Sequence, residues 1–466
     1  MEPNVKYELI DADLPSTRRM ERLAVWCTAA LALVLGVLRM ALQAGAGDMD
    51  AVNTAAAMAM GWRNALLGMV DAAGTTTAGP AAALWPQAGL AALLGASPFS
   101  VRLPQAIAAL LCCLLAASAM GAGRGSSFGR LAFPVVLVFS PAFLALNGDA
   151  DGMLWAAVCL LAAAALALSA VWRCNAGLLV LSAVLGGLAF HMVGWAALTL
   201  WAAVAALWFL DENTRPRLVA FVAATAVYAM VGLAWYGYLA ALEPAVRPQI
   251  IGAVGNDPFW LLLEHRSDGV PDALSRLIGS AWGAVNVWWL PWGGVAGVAG
   301  LAAALTQTDR DRWPALVQGF WLSWAVAAAA WLAFAPQPLP VHGLALALAL
   351  GGLCAHSAMV LLDGLDRPWV ALAAAAALFA AGAAQTRWLG ALAVWGRWAF
   401  VFPLAACAAA LVLGVLRLLP ASQPRQWRAV AVVGLVALLA APVVFALGAL
   451  LGSPGNPVAQ VMSAVR

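Results

Sequence analysis

Residues 45–104 read GAGDMDAVNTAAAMAMGWRNALLGMVDAAGTTTAGPAAALWPQAGLAALLGASPFSVRLP and stand between two strongly apolar segments. This stretch carries three aspartates, two arginines and a run of three threonines. The whole chain is 64% hydrophobic and only 10% charged, whereas about a quarter of the residues in a soluble domain are charged. Polar groups are therefore scarce, and we expect functional residues where a loop gathers several of them.

The composition predicts an all-α integral membrane protein, a polytopic bundle of about 13 transmembrane helices of roughly 20 apolar residues each. Residues 1–22 form a polar N-terminal segment, residues 23–450 the transmembrane domain and residues 451–466 a short external tail. The predicted spans are residues 23–42, 103–120, 131–146, 153–172, 176–190, 195–210, 218–239, 283–305, 315–334, 344–361, 370–384, 400–416 and 430–450.

Basic residues predict the orientation of this bundle. With the N-terminus cytoplasmic, alternation of the spans places most arginines on short cytoplasmic segments, as the positive-inside rule requires. The loops at about 44–102 and 243–282 are then external, and a bacterial inner membrane is the expected location. Within the first loop, residues 51–67 and 82–94 are predicted to form amphipathic helices at the membrane surface.

The charge and the cysteine content of the chain argue against several kinds of partner and site. The net charge is only +3 and no basic run is present, which argues against a nucleic-acid partner. The seven cysteines lie in or beside apolar segments without a CxxC pair, so we expect no disulfide framework and no thiolate zinc site.

Four external carboxylates are candidates for chemistry. Asp48 and Asp50 follow the first span and suit a general base or a metal ligand, or else stabilise the start of the helix after them. Asp149 and Asp151 lie in the turn NGDADG, where such residues are ordinary, yet two carboxylates there also suit Mg²⁺ or Mn²⁺.

External cations and histidines are candidates for binding a phosphate. A guanidinium binds phosphate through two parallel hydrogen bonds, but an interfacial arginine also occurs simply with its charge in water. His191 either belongs to a functional site or simply lies at an external turn. His342 lies at the outer start of a predicted span. The candidate phosphate ligands are Arg63, Arg102, Arg266 and His342.

Five stretches within residues 45–355 form an ordered set of motifs: AAALWPQAGLAALLGASPFSVRLPQAIAALL, LNGDADGML, LGGLAFHMVGWAAL, IIGAVGNDPFWLLLEHRSDG and PVHGLALALALGGL. Their order resembles the glycosyltransferase C superfamily, in particular bacterial relatives of protein O-mannosyltransferases and aminoarabinose transferases. The family's Asp-Lys-Pro-Pro falls on residues 78–81, which read AGPA, and its Thr-Lys falls on Met192 and Val193, so three of its charged residues are absent here.

The resemblance implies a membrane glycosyltransferase that takes a sugar from a polyprenyl-phosphate donor outside the membrane. Asp48 or Asp50 would act as base, Asp149 and Asp151 would assist a metal, and the four candidate phosphate ligands would hold the donor. Because these charged residues are missing, an alternative function is that of a lipid-binding or scaffolding subunit of an envelope-glycan assembly. A lipid or sugar transporter ranks below both, because the spans carry almost no polar residues and no inverted repeat.

Overall fold

A computed structural model describes residues 15–42, 48–60, 81–121, 129–138, 143, 146–147, 152–210, 218–242, 312–334 and 340–363. All regular structure in these ranges is helical. The α-helices are α1 (Pro15–Leu42), α2 (Asp48–Ala59), α3 (Trp85–Leu94), α4 (Pro98–Met120), α5 (Gly129–Val138), α6 (Met153–Trp172), α7 (Ala176–Val193), α8 (Ala196–Leu210), α9 (Leu218–Leu242), α10 (Arg312–Phe334) and α11 (Pro340–Asp363), and a 3-10 segment covers Ala81–Leu84.

The helices agree with the predicted spans wherever the structure describes the chain. Each span predicted between residues 23 and 239, and those at 315–334 and 344–361, corresponds to one helix, although α5 ends at Val138 rather than at residue 146. Spans 283–305, 370–384, 400–416 and 430–450 lie outside the described residues, so the total of about 13 stays a prediction. In the described ranges, four helices are long and apolar enough to cross a membrane: Glu21–Leu38, Pro98–Met120, Met153–Trp172 and Ala176–Val193.

The interior of the bundle is built from small residues and large aromatic rings. Helices α6 and α7 form a tight hairpin, and α6 also packs on α4 while α7 packs on α9. Phe133 of α5 meets the buried ring of Trp321 of α10 edge to face at 5.5 Å, and Trp321 stacks on Trp324 at 5.7 Å. Gly352 of α11 faces the Trp321 ring so closely that a Cβ atom there would overlap it. Close approach at glycine thus lets helices of simple composition pack with specific partners.

Helix α4 begins at Pro98 and not at residue 103, where the sequence predicted the second span to begin. Ser97 caps it, because the Ser97 hydroxyl accepts from the Ser100 amide at 3.2 Å and the Ser97 amide donates to the Ser100 hydroxyl at 2.9 Å. Proline at the first helical position completes this start. The earlier start places Arg102 inside a long helix, whereas the sequence predicted it within the first loop.

One end of the bundle carries the short helices of the first loop. We call it the loop end and define it as α2, the 3-10 segment, α3 and the starts of α4 and α6. The predicted helix 82–94 is divided between the 3-10 segment and α3, with Pro86 in the first turn of α3. Of the predicted helix 51–67, the described part begins earlier, at Asp48, and ends at Ala59. Helix α2 packs on α3 and α4 through Val52, Ala55, Ala91 and Val101.

Asn147 links the segment that precedes α6 to helix α1 by a hydrogen bond. Its side-chain amide donates to the Ala32 carbonyl at 2.7 Å, and a Cβ atom at Gly36 would overlap its Oδ1 atom. The NGDADG sequence begins at this residue, so the hydrogen bond fixes the position of its first residue.

We expect Gly36→Ala to lower the free energy of unfolding by about 1–3 kcal/mol, because the Asn147 amide must move and leave a buried hydrogen bond. Thermal melting in detergent micelles measures the effect. Gly89→Ala is the matched control, since a Cβ atom at Gly89 meets nothing within 4 Å and alanine favours a helix. Equal melting temperatures for the Gly36 and Gly89 variants would contradict the role assigned to Asn147.

Candidate functional site

Buried polar side chains concentrate at the loop end. Because α6 starts there and α6 and α7 form a hairpin, α7 ends there as well. A polar group in an apolar interior costs free energy unless it is partnered, so such a concentration within a membrane bundle marks a functional region. The buried polar residues in this part of the described structure are Gln87, Ser100, Arg102, Gln105, Asn147 and His191.

Helix α2 places its two aspartates in its first turn, at different angular positions. Residues of an α-helix separated by four or seven positions share a face, and residues separated by two do not. Position 48 is four residues before Val52 and seven before Ala55, both of which are buried against α3 and α4. Position 50 falls on the opposite side of α2, with the exposed Asn53. The register therefore puts Asp48, and not Asp50, on the stripe that faces α3 and α4.

Arg102 and Gln105 lie one turn apart in the part of α4 that is nearest the loop end. Arg102 is only 8% exposed and Gln105 is fully buried. Val101, next to Arg102, belongs to the same packed cluster as Val52 of α2. The α2 stripe that includes position 48 and the start of α4 therefore belong to one region of the loop end.

The start of α6 completes this region. Gly152 caps α6 with a left-handed φ of 78° and no side-chain hydrogen bond. A Cβ atom at Gly152 would overlap the Ala83 carbonyl oxygen, so the 3-10 segment rests directly on the start of α6. The predicted metal ligands Asp149 and Asp151 lie outside the described residues, and among the residues that are described no three His, Cys, Asp or Glu side chains gather.

His191 occupies the last turn of α7, just before the helix ends at Gly194. Its Nε2 atom lies 2.6 Å from the Val231 carbonyl oxygen of α9, to which a protonated Nε2 donates. The adjacent Gly187 allows this contact, because a Cβ atom there would press on Val231 and the Tyr228 carbonyl. His191 therefore marks the turn and joins α7 to α9, which explains its presence without a ligand.

The remaining predicted phosphate ligands are placed only in part. His342 lies in the first turn of α11, as predicted, and its side chain is outside the description. Arg63 and Arg266 lie outside the described residues. Thus the structure brings Asp48 and Arg102 to one region and leaves the other predicted ligands as predictions.

Gln105 and Asn147 are buried polar residues that the sequence analysis did not single out. Asn147 was recognised only as part of a turn, although asparagine at the edge of an apolar span was a usable signal. Gln105 sits in RLPQAIAALL, where a lone polar residue among apolar ones also stood out.

Comparison with known proteins shows which solved structures share this fold. No protein-family model matches the chain, and no curated protein matches it in sequence. Among solved structures, ArnT from Cupriavidus metallidurans bound to undecaprenyl phosphate superposes with a TM-score of 0.57 at 18% identity, over 90% of this chain and 77% of ArnT. Apo ArnT gives a TM-score of 0.56 at 18% identity, over 90% of this chain and 76% of ArnT.

The chain has the glycosyltransferase C fold. This confirms the resemblance that the motif order predicted, and it agrees with a multi-pass membrane protein. In this glycosyltransferase C fold, the loop end carries the buried polar residues described above. At 18% identity this likeness shows the fold alone, and a shared fold does not by itself show a shared reaction.

Proposed function

We propose that the chain is a membrane glycosyltransferase that moves a sugar from a polyprenyl-phosphate donor to a lipid, glycan or protein acceptor at the external face of a bacterial inner membrane. The observation that supports it most is the fold shared with ArnT over 90% of the chain, since one ArnT structure is bound to undecaprenyl phosphate. The proposal places the site at the loop end, where buried polar groups gather.

Two groups carry the proposed reaction. The acceptor hydroxyl must lose a proton as it attacks the anomeric carbon, and a carboxylate within reach serves as general base. Asp48 is our choice, because its position faces α3 and α4 while position 50 faces away. The bond from the anomeric carbon to the phosphate oxygen breaks, and the phosphate of the lipid leaves with that electron pair.

A guanidinium stabilises the leaving phosphate through paired, charge-assisted hydrogen bonds. Arg102 suits this role, since it is a buried cation beside the region of Asp48. Arg63, Arg266 and His342 remain predicted partners of the same phosphate. A Mg²⁺ or Mn²⁺ ion at Asp149 and Asp151 likewise stays a prediction.

A transfer assay tests the function directly. The full chain in proteoliposomes made with native membrane extract receives undecaprenyl-phosphoryl mannose, glucose or aminoarabinose with a labelled sugar. We expect protein-dependent transfer of label from one donor into lipid, glycan or protein. Labelled sugar that stays on its donor in every case would contradict an enzyme.

Replacing Arg102 tests its contact with phosphate. We expect Arg102→Gln to weaken the binding of undecaprenyl phosphate by about 10- to 100-fold, because charge-assisted hydrogen bonds contribute about 1.5–3 kcal/mol. Arg102→Lys keeps the charge but loses the two-pronged geometry, so it should recover only part of the affinity. Scintillation proximity with labelled lipid measures the affinity.

Arg173→Gln is the control, since Arg173 is exposed at the opposite end of α6. Unchanged affinity in Arg102→Gln, with melting unaltered, would remove Arg102 from the site.

A second candidate is a lipid-binding or scaffolding subunit without turnover. The absence of the family's loop charges at residues 78–81 and 192–193 favours it. Tight binding of undecaprenyl phosphate together with no transfer from any donor would establish this alternative over the enzyme.

A further inference from the structure

The Gln105 side-chain amide is an unsatisfied buried group in the described part of the structure. Gln105 is fully buried, and among the described residues neither its Nε2 nor its Oε1 atom has a hydrogen-bond partner. Two buried hydroxyl groups of the bundle are satisfied, since the Ser182 hydroxyl donates to the Ala163 carbonyl at 2.8 Å and the Thr199 hydroxyl to the Ala196 carbonyl at 2.6 Å. Gln105 differs from them because both polar atoms of its side chain lack a partner among the described residues. An unsatisfied buried amide costs stability, so its presence points to a partner outside the described residues.

The register of α4 shows where this amide lies. Gln105 is seven residues before Cys112, on the same helix face. The Cys112 thiol lies 3.7 Å from the Leu154 carbonyl oxygen in the first turn of α6. Gln105 is about 10 Å further along α4 toward the loop end, and therefore beyond the start of α6, on the side where the 3-10 segment covers Gly152.

The chemistry of an amide distinguishes between ligands. A phosphate only accepts hydrogen bonds, so it would leave the Oε1 atom of Gln105 unpaired. A pair of sugar hydroxyls both donates and accepts, which matches the amide's donor and acceptor together. Gln105 lies one turn, about 5 Å, deeper than Arg102, and a sugar attached to a phosphate held at Arg102 comes within that distance.

We propose that Gln105 determines donor specificity by hydrogen-bonding hydroxyl groups of the sugar carried on the lipid phosphate. This inference rests on the proposed function, because it requires a polyprenyl-phosphate donor with its phosphate at Arg102. Gln105 contacts only the sugar, and other residues bind the lipid and its phosphate.

A binding comparison with wild type and Gln105→Leu tests this. The probes are undecaprenyl phosphate and undecaprenyl-phosphoryl mannose, glucose and aminoarabinose, titrated into the full chain in nanodiscs. Wild type should bind one sugar-bearing probe more tightly than undecaprenyl phosphate. In Gln105→Leu that preference should fall by about 10- to 100-fold, while the affinity for undecaprenyl phosphate is unchanged. Its ligand-free melting temperature should be equal or higher, because an unsatisfied amide is replaced by an apolar side chain of similar size.

Three results would overturn the inference. They are an unchanged preference in Gln105→Leu, the absence of any sugar preference in wild type, and a clear fall in melting temperature, which would indicate a structural partner for the amide. Gln318→Leu is the control, since Gln318 is a buried glutamine of α10, away from the loop end, and should leave the preference intact. Failure of wild type to bind undecaprenyl phosphate at all would instead refute the proposed function, and the inference with it.

Discussion

Asp48→Asn lowers the rate of sugar transfer by about 10²- to 10⁴-fold if Asp48 is the general base, because this range is what a positioned base contributes. Asparagine has nearly the same shape and cannot accept the proton. Binding of undecaprenyl phosphate should stay within about twofold of wild type, since the base acts on the acceptor. Single-turnover transfer from the labelled donor that wild type uses separates the chemical step from binding.

Asp50→Asn provides the matched control on the same helical turn. Both aspartates lie near the N-terminus of α2 and favour that helix electrostatically, so each variant loses a similar, small amount of stability. Only position 48 shares the stripe of Val52 and Ala55, so Asp50→Asn should keep most of the turnover. Equal losses in both variants, or a larger loss in Asp50→Asn, would show that the register of α2 does not select the base.

Gly152→Ala should destabilise the protein by about 2–5 kcal/mol, the largest structural effect that we expect. The left-handed backbone conformation costs a residue with a Cβ atom about 1–2 kcal/mol of free energy. Overlap with the Ala83 carbonyl then forces the 3-10 segment away from the start of α6, and such overpacking costs about 1–3 kcal/mol more. Because the 3-10 segment and the start of α6 belong to the loop end, where we place the site, transfer should fall even below the melting temperature. Thermal unfolding in nanodiscs and the transfer assay measure the two effects.

Gly95→Ala separates the two causes of that loss. Gly95 also has a positive φ, of 85°, but its ψ of 152° lies outside the left-handed helical region, and this conformation costs a residue with a Cβ atom about 1–3 kcal/mol. A Cβ atom there meets nothing within 4 Å, so its alanine variant should lose only the cost of the backbone conformation and keep transfer activity. If Gly152→Ala also keeps full transfer activity, the contact between Ala83 and the start of α6 does not support the site.

The apolar pattern predicted the helices of the described bundle well, because a membrane span must satisfy its backbone within itself and so needs a long apolar run. Helix α6 has the predicted limits, and α8 and α9 differ from prediction by only a few residues. The start of α4 was missed, since the interaction of Ser97 with Ser100 reads as ordinary loop composition until the backbone is folded. The order of motifs also predicted the fold that ArnT shares.

The candidate site was less accessible to sequence reasoning. Asp48 and Arg102 were chosen as scarce charges in an apolar chain, and the structure adds that their helices pack together through Val52 and Val101. Asp50 looked equivalent to Asp48 in sequence, and only the packing of α2 distinguishes their positions. His191 looked like a site residue until its contact with the Val231 carbonyl was known.

The sequence by itself determined that this protein is a helical membrane bundle with a polar first loop, because span length and apolar composition are local properties. Tertiary structure alone decided which polar residues are buried, which have partners and which face one another. The reason is physical: a hydrogen bond such as that from Asn147 to the Ala32 carbonyl, or its absence at Gln105, depends on a helix distant in sequence.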